Sequence, residues 1–343
     1  EGNELPFVHR FAELFVDLGG APEPGETLEL HVETEGDVFT DMSWDFGNNL
    51  FAFLGSAWFP QPATRVTQPF DFRIRVRCQK PYRPVTSGRQ VSLEEDEETF
   101  ELVAESEHPS WTIAVFAGKY STFEKTYDGL PIRVHSYAME RRGQPEKIAD
   151  LAAVTVDLYE RMLGPYPFEE LEIVEVPRFG FGIAPAGVVL ITTEAYNPHK
   201  DGYGRGLAAY FSEGINSRLA HEIAHMWFGH VAAPANEREN WMAESFAEYL
   251  SGLAMRQAEG RGGRHLEGFE QMEAEWWDYT GNYGDFGSIG AANQLGGPDA
   301  GIARFAMLYC RGPLVLEMLH ALAGPRFPDL LQNLLGRVDR GCV

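Results

Sequence analysis

The stretch HEIAHMWFGH, residues 221 to 230, gathers three of the ten histidines of this 343-residue chain and sets a glutamate beside the first. Successive side chains on an α-helix step by about 100°, so His221 and His225 share one face about a turn apart, with Glu222 flanking them. Two imidazoles so placed can bind one Zn²⁺, and the neighbouring carboxylate can accept a proton from water on that ion. This H-E-x-x-H spacing predicts metal-assisted hydrolysis, with His221 and His225 as ligands and Glu222 as general base.

A hydrolytic zinc site takes three protein ligands and leaves a fourth position open. His230 is the nearest further donor. The pattern H-E-x-x-H-x-x-G-x-x-H, however, asks for glycine at position 228 and histidine at 231, where this chain has Phe228 and Val231. On a continuing helix His230 would point about 180° away from His221. It is therefore expected beside the ligands, in a supporting or structural role. The segment NWMAESFAEYL offers a better third ligand in Glu244, with 18 residues between it and His225.

Together these two segments resemble the zinc site of the gluzincin peptidases related to membrane alanyl aminopeptidase and leukotriene A4 hydrolase. The resemblance implies a short, bacterial-type member with a thermolysin-like catalytic domain. One Zn²⁺ would be held by His221, His225 and Glu244, with Glu222 as the base. The sequence YCRG, residues 309 to 312, is similar to the family's Y-x-K-G motif, with Arg311 in place of lysine. By that likeness the Tyr309 phenol donates to the oxyanion formed during attack on a carbonyl. GSAWFP and WTIAVFAGKY resemble family segments more loosely. Glu239 falls where relatives carry an acidic residue, and Glu248 shares a helix face with Glu244, so both are candidates to orient a liganding histidine.

The chain departs from the family at one loop. Aminopeptidases of this group bind the substrate's α-amine with the glutamate of a G-x-M-E-N loop preceding a strand. Here IAPAG, residues Ile183, Ala184, Pro185, Ala186 and Gly187, takes that place, with Ala186 at the glutamate position. Truncating one member of a buried charge pair costs roughly 2 to 5 kcal/mol, so the expected amine anchor is lost unless Glu194, Asp201 or Glu213 supplies it. No Asp or Glu occurs from Phe46 to Phe70 to offer a second anchor. The loop can still present backbone groups to a peptide that adds as an extra strand. Only 34 residues follow Tyr309, so an open cleft suited to internal bonds is expected.

The elements that must position these residues differ along the chain. In FDFRIRVRC, Phe70, Phe72, Ile74, Val76 and Cys78 alternate with charged residues, the period of a half-buried strand. FAELFVDL, TLELHVET, TFELVAES and WTIAVFAG read as further strands, and residues 1–125 as an N-terminal antiparallel β-sandwich or sheet domain. Residues 126–343 read as the catalytic domain. A strand PIRVHSYAM leads to a helix from about Pro145 with Ile148, Leu151, Leu158 and Met162 in helical spacing, then strands LEIVEV and VVLIT, then mainly helices. The fold class is α+β.

A net charge of −23 argues against nucleic acid as a partner, and no apolar run approaches the 18 or so residues of a membrane span. The partner expected is a peptide or protein substrate. Three cysteines without metal-type spacing leave the compartment open, while the start EGNELPFVHR favours a processed, extracytoplasmic chain or a fragment over a cytoplasmic one. The alternative function is a peptide-binding scaffold with a structural zinc, part of a larger and membrane-associated protein. Such a site needs neither Glu222 nor an open position.

Overall fold

The computed structural model describes residues 4–11, 13–36, 43–45, 50–54, 58–60, 69–137, 144–177, 182–193, 215–234, 239–259, 269–283 and 287–337. Strands β1 (Phe7–Arg10) and β2 (Glu13–Val16) form a hairpin of their own. A four-stranded antiparallel sheet has the order β3 (Ser43–Asp45), β4 (Leu50–Phe53), β9 (Val115–Gly118), β6 (Arg83–Thr86). A three-stranded antiparallel sheet joins β5 (Arg73–Gln79), β8 (Thr99–Glu105) and β7 (Arg89–Glu95). The alternation expected in FDFRIRVRC is present in β5, whose arginines are exposed while Ile74, Val76 and Cys78 are half-buried. TLELHVET forms no strand; its side chains are exposed, and without a neighbouring surface its alternation has nothing to bury.

The five-stranded sheet holds the site. Its order is β10 (Ser121–Tyr127), β11 (Leu130–Ser136), β12 (Leu171–Val176), β14 (Val188–Thr192), β13 (Gly182–Ile183). Residue 125, where the sequence places the domain boundary, falls inside β10. Strands β11, β12 and β14 run parallel, with helix α1 (Gln144–Leu163) between β11 and β12, and β13 is an antiparallel edge. LEIVEV and VVLIT are nearly continuous apolar runs because both faces of these strands are covered. Leu171, Ile173, Val189 and Ile191 face the helices, while Val174, Val176, Val188 and Leu190 meet Leu50, Ala52, Val85 and Phe116 of the four-stranded sheet. Burying one such side chain contributes roughly 1.5 to 3 kcal/mol.

In α1 the buried stripe is Ile148, Ala149, Ala152, Val156, Tyr159 and Leu163, whereas Leu151, Leu158 and Met162 lie at its margin. Alanines let the helix approach the sheet closely, and the longer side chains cover the flanks. Among the described residues the remaining α-helices are α2 (Ile215–Ala224), α3 (Asn240–Glu259), α4 (Phe269–Tyr283), the short α5 (Ala300–Phe305), α6 (Gly312–Ala323) and α7 (Phe327–Arg337). The architecture is α+β, and among the described residues no helix is long and apolar enough to cross a membrane.

Candidate metal centre

His221 and Glu222 sit on α2, where Leu219, Ala220, Ile223 and Ala224 are fully buried and fix the rotation of the helix. The helix does not continue past His225. Residues Met226–Val231 widen into a π turn in which Phe228 and Gly229 leave helical geometry, Gly229 with φ 142°, a conformation that glycine tolerates. The break sets the direction of two histidines. His225 Nδ1 donates to the Phe228 carbonyl at 3.0 Å, leaving Nε2 as the lone-pair nitrogen. His230 Nε2 donates to the Ala184 carbonyl at 2.7 Å, so His230 binds the loop rather than the cluster. The break, and not the phase of a continuing helix, sets this placement.

Glu244 and Glu248 lie one turn apart on α3. His221 Nδ1 donates to Glu248 Oε2 at 3.0 Å, and Trp276 Nε1 donates to the other oxygen at 3.2 Å. The ligand atoms of His221, His225 and Glu244 lie within 4.8 Å of one another. The two Nε2 atoms are 3.2 Å apart, and Glu244 Oε2 is 3.5 and 3.6 Å from them. Bonds of 2.0 to 2.1 Å in a tetrahedron give edges of about 3.3 Å, so these three atoms have the spacing of zinc ligands. The N₂O donor set suits Zn²⁺.

The electrostatics agree with a site built for positive charge. Burial opposes a charged His221, yet hydrogen bonds to Glu244 and Glu248 and the nearby Glu222 charge hold its pKa up at about 10. Burial likewise opposes a charged Glu244, but His225, His221 and the Tyr309 hydroxyl hold it down at about 2. Glu222 goes the other way: burial raises its pKa above the ordinary carboxylate value, although the neighbouring His221 and His225 oppose the rise. Tyr309 lies in the π turn Ala306–Arg311, stacked on His221 and Phe305 and hydrogen-bonded to Glu244. Its neighbour Arg311 donates to the Gly287 carbonyl at 2.7 Å. Gly312 is required by packing, because a Cβ there would meet Ser245 Oγ at 2.0 Å.

A cleft of ≈510 Å³ opens over the cluster, walled by Gly182, Ile183, Ala184, Arg218, Glu275 and Tyr309 among others. Of the five loop residues named from the sequence, Ile183 and Ala184 line it, whereas Pro185, Ala186 and Gly187 are buried in the turn that follows. The position facing the cleft is therefore Ala184, not Ala186, because the turn closed by Val188 N–H on the Pro185 carbonyl carries Ala186 inward. Glu239 is half-buried before α3 and lines neither cluster nor cleft; Glu194, Asp201 and Glu213 lie outside the described residues. Sequence reasoning missed Arg218, whose spacing of four from Glu222 places it on the same helix face and whose Nη1 donates to Thr192 Oγ1 at 2.8 Å. It also missed Trp276 and Glu275, which α4 brings in from outside both motifs.

Residues 149–337 match the model of the peptidase family M1 domain. The chain belongs to that family. Aminopeptidase M1 of Arabidopsis thaliana is 25% identical over 174 residues, 49% of this chain and 19% of that protein. Tricorn protease-interacting factor F2 of Thermoplasma volcanium is 24% identical over 183 residues, 52% of this chain and 22% of that protein. The chain thus spans about a fifth of the length of these curated relatives. The crystal structure of the M1 zinc metallopeptidase from Deinococcus radiodurans superimposes with a TM-score of 0.63 at 20% identity, covering 89% of this chain and 66% of that one. A mutant of it bound to Tyr-Ser-Ala substrate superimposes with a TM-score of 0.69 at 19% identity, covering 100% and 76%.

Proposed function

We propose that this M1-family chain hydrolyses peptide bonds with one Zn²⁺ held by His221, His225 and Glu244. The observation that carries the reading is the spacing of those three ligand atoms, 3.2 to 3.6 Å, in a cleft where Glu222 is buried beside them. Bound there, the ion supplies Lewis-acid polarisation of a carbonyl and a lowered pKa for water. Glu222 takes a proton from the attacking water and returns it to the departing amine. Tyr309 turns its hydroxyl from Glu244 to the carbonyl oxygen as negative charge builds there. The edge of β13 offers N–H and C=O groups to an extended peptide, which joins as an added strand.

Specificity follows from the loop. Among the described residues, Ile183 and Ala184 give the cleft an uncharged wall, and Ala186, at the position of the family's glutamate, carries no carboxylate and is turned away from it. The chain then cleaves without requiring a free α-amine, at internal bonds of flexible peptides as well as near their ends. Matched peptides with free and acetylated N-termini test this. Cleavage of both at rates within about tenfold is expected, and cleavage confined to the free-amine peptide would overturn the specificity. The chemistry is tested separately: chelator, or Glu222→Gln with zinc content unchanged, lowers kcat by a factor on the order of 10² or more. A Glu222→Gln protein as fast as the parent would dismiss the mechanism.

A further inference from the structure

A second cavity of ≈190 Å³ adjoins the cleft, and Trp111 and His230 wall both. Its other walls are His108, Pro109, Phe168, Ala186 and Val231, and among the described residues no carboxylate, lysine or arginine lines it. An apolar cavity of about 150 Å³ admits benzene, so this one has room for an aromatic ring. A charged group entering it would lose its hydration without gaining an opposing charge.

The walls are fixed in advance. The Phe168 ring stands edge-on to His230 and tilted against His108, with centroids 5.8 Å from each, and Tyr166 ties it at 6.0 Å to an edge-to-face contact with buried Trp227. His108 Nε2 donates to the Pro167 carbonyl at 2.9 Å and His230 Nε2 to the Ala184 carbonyl at 2.7 Å, so both imidazoles are held by backbone. The floor, Ala186, is in the turn closed by Val188 N–H on the Pro185 carbonyl at 2.9 Å. Ala184 lines the cleft and Ala186 lines the cavity, two residues further along the loop that leaves β13. A peptide lying along β13 therefore presents a side chain to the cavity at one end of its path.

We propose that this cavity is a specificity subsite that takes an aromatic side chain, of phenylalanine, tyrosine or tryptophan, from the bound peptide. The assignment rests on the peptidase reading, and the small side chain of Ala186 makes the room. Two measurements on the zinc-loaded protein test it. In a peptide-library digest, cleaved sequences are expected to carry an aromatic residue at one fixed position from the scissile bond, with kcat/KM at least about tenfold above alanine there. Ligand-observed NMR is expected to detect p-cresol bound to the parent. Ala186→Leu and Val231→Phe, each checked for folding by circular dichroism, should bring the aromatic-to-alanine ratio towards one and abolish the p-cresol signal. Cleavage with no aromatic position, absence of p-cresol binding, or a ratio unmoved in both folded variants would overturn the subsite. Binding of p-cresol that Ala186→Leu abolishes, with no peptide cleaved at all, would uphold the aromatic cavity and refute the peptidase reading instead.

Discussion

Glu244 and Glu248 are the same residue type, one turn apart on one helix, and their environments divide the work between them. Glu244 faces both Nε2 atoms, whereas Glu248 accepts from His221 Nδ1 and from Trp276, fixing the tautomer that leaves His221 Nε2 bare. Removing such a partner weakens metal binding about 10- to 100-fold. Glu248→Ala is therefore expected to raise the zinc Kd by that factor, measured by competition with a chromophoric chelator. A Kd equal to the parent's would show that α3 packing alone orients His221. Residue spacing made His221, His225 and Glu244 legible, because helical phase converts a sequence interval into a shared face. It left Glu248 undecided between support and solvent, since that depends on how α3 meets α2 and α4. Trp276 had no signal at all, being brought to Glu248 by a helix that shares neither motif.

At the scale of elements, close approach and breaks in regular structure aim the site. Edge strand β13 passes so near α2 that a Cβ on Gly182 would lie 2.1 Å from Glu222 Oε1. Gly182→Ala must push the carboxylate aside, and a displacement of about 1 Å at a reacting group costs on the order of 10²-fold in rate. The expected result is a kcat lower by about that factor with zinc content unchanged by elemental analysis. Equal loss of metal and rate would instead place the damage in the fold. Gly312→Ala meets Ser245 Oγ at 2.0 Å and Cβ at 2.4 Å between α6 and α3. Overpacking of this kind costs typically 1 to 3 kcal/mol, to be read as a lower midpoint in urea. Element types were legible wherever burial is strong, as in LEIVEV and VVLIT. The π turn after His225 was not, because Gly229 acts through a backbone conformation that leaves no trace in hydrophobic period. The inward turn of Ala186 was hidden for the same reason, and the loop residue facing the cleft moved to Ala184.

Across the whole molecule, the four- and three-stranded sheets meet the five-stranded sheet through a polar seam beside the apolar one. Arg133 binds Glu170 at 2.8 Å and Glu172 at 2.6 Å, and Gln90 N–H from β7 donates to Glu170 at 2.5 Å. Burial works against the Glu172 charge, but His135 and Arg133 hold its pKa below the ordinary carboxylate value. A depressed folded pKa gives stability that is present above the unfolded value and lost as pH falls through the folded one. Glu107 has the opposite sign. Burial pushes its pKa to about 7, helped by Glu169 and Glu170, although the Glu169 N–H binds it at 2.7 Å. The folded state therefore holds its proton more tightly than the unfolded chain, and stability drains as pH rises from about 4.5 towards 7. Glu107→Gln keeps an acceptor for that N–H and removes the charge. Its stability relative to the parent is expected to grow between pH 5 and pH 8 by an amount on the order of 1 kcal/mol, since the group is only half-buried and solvent screens it. Urea unfolding of both proteins at the two pH values measures this. Parallel behaviour would show that Glu107 ionises without cost, and that the charge balance of the seam rests on the Arg133 network alone.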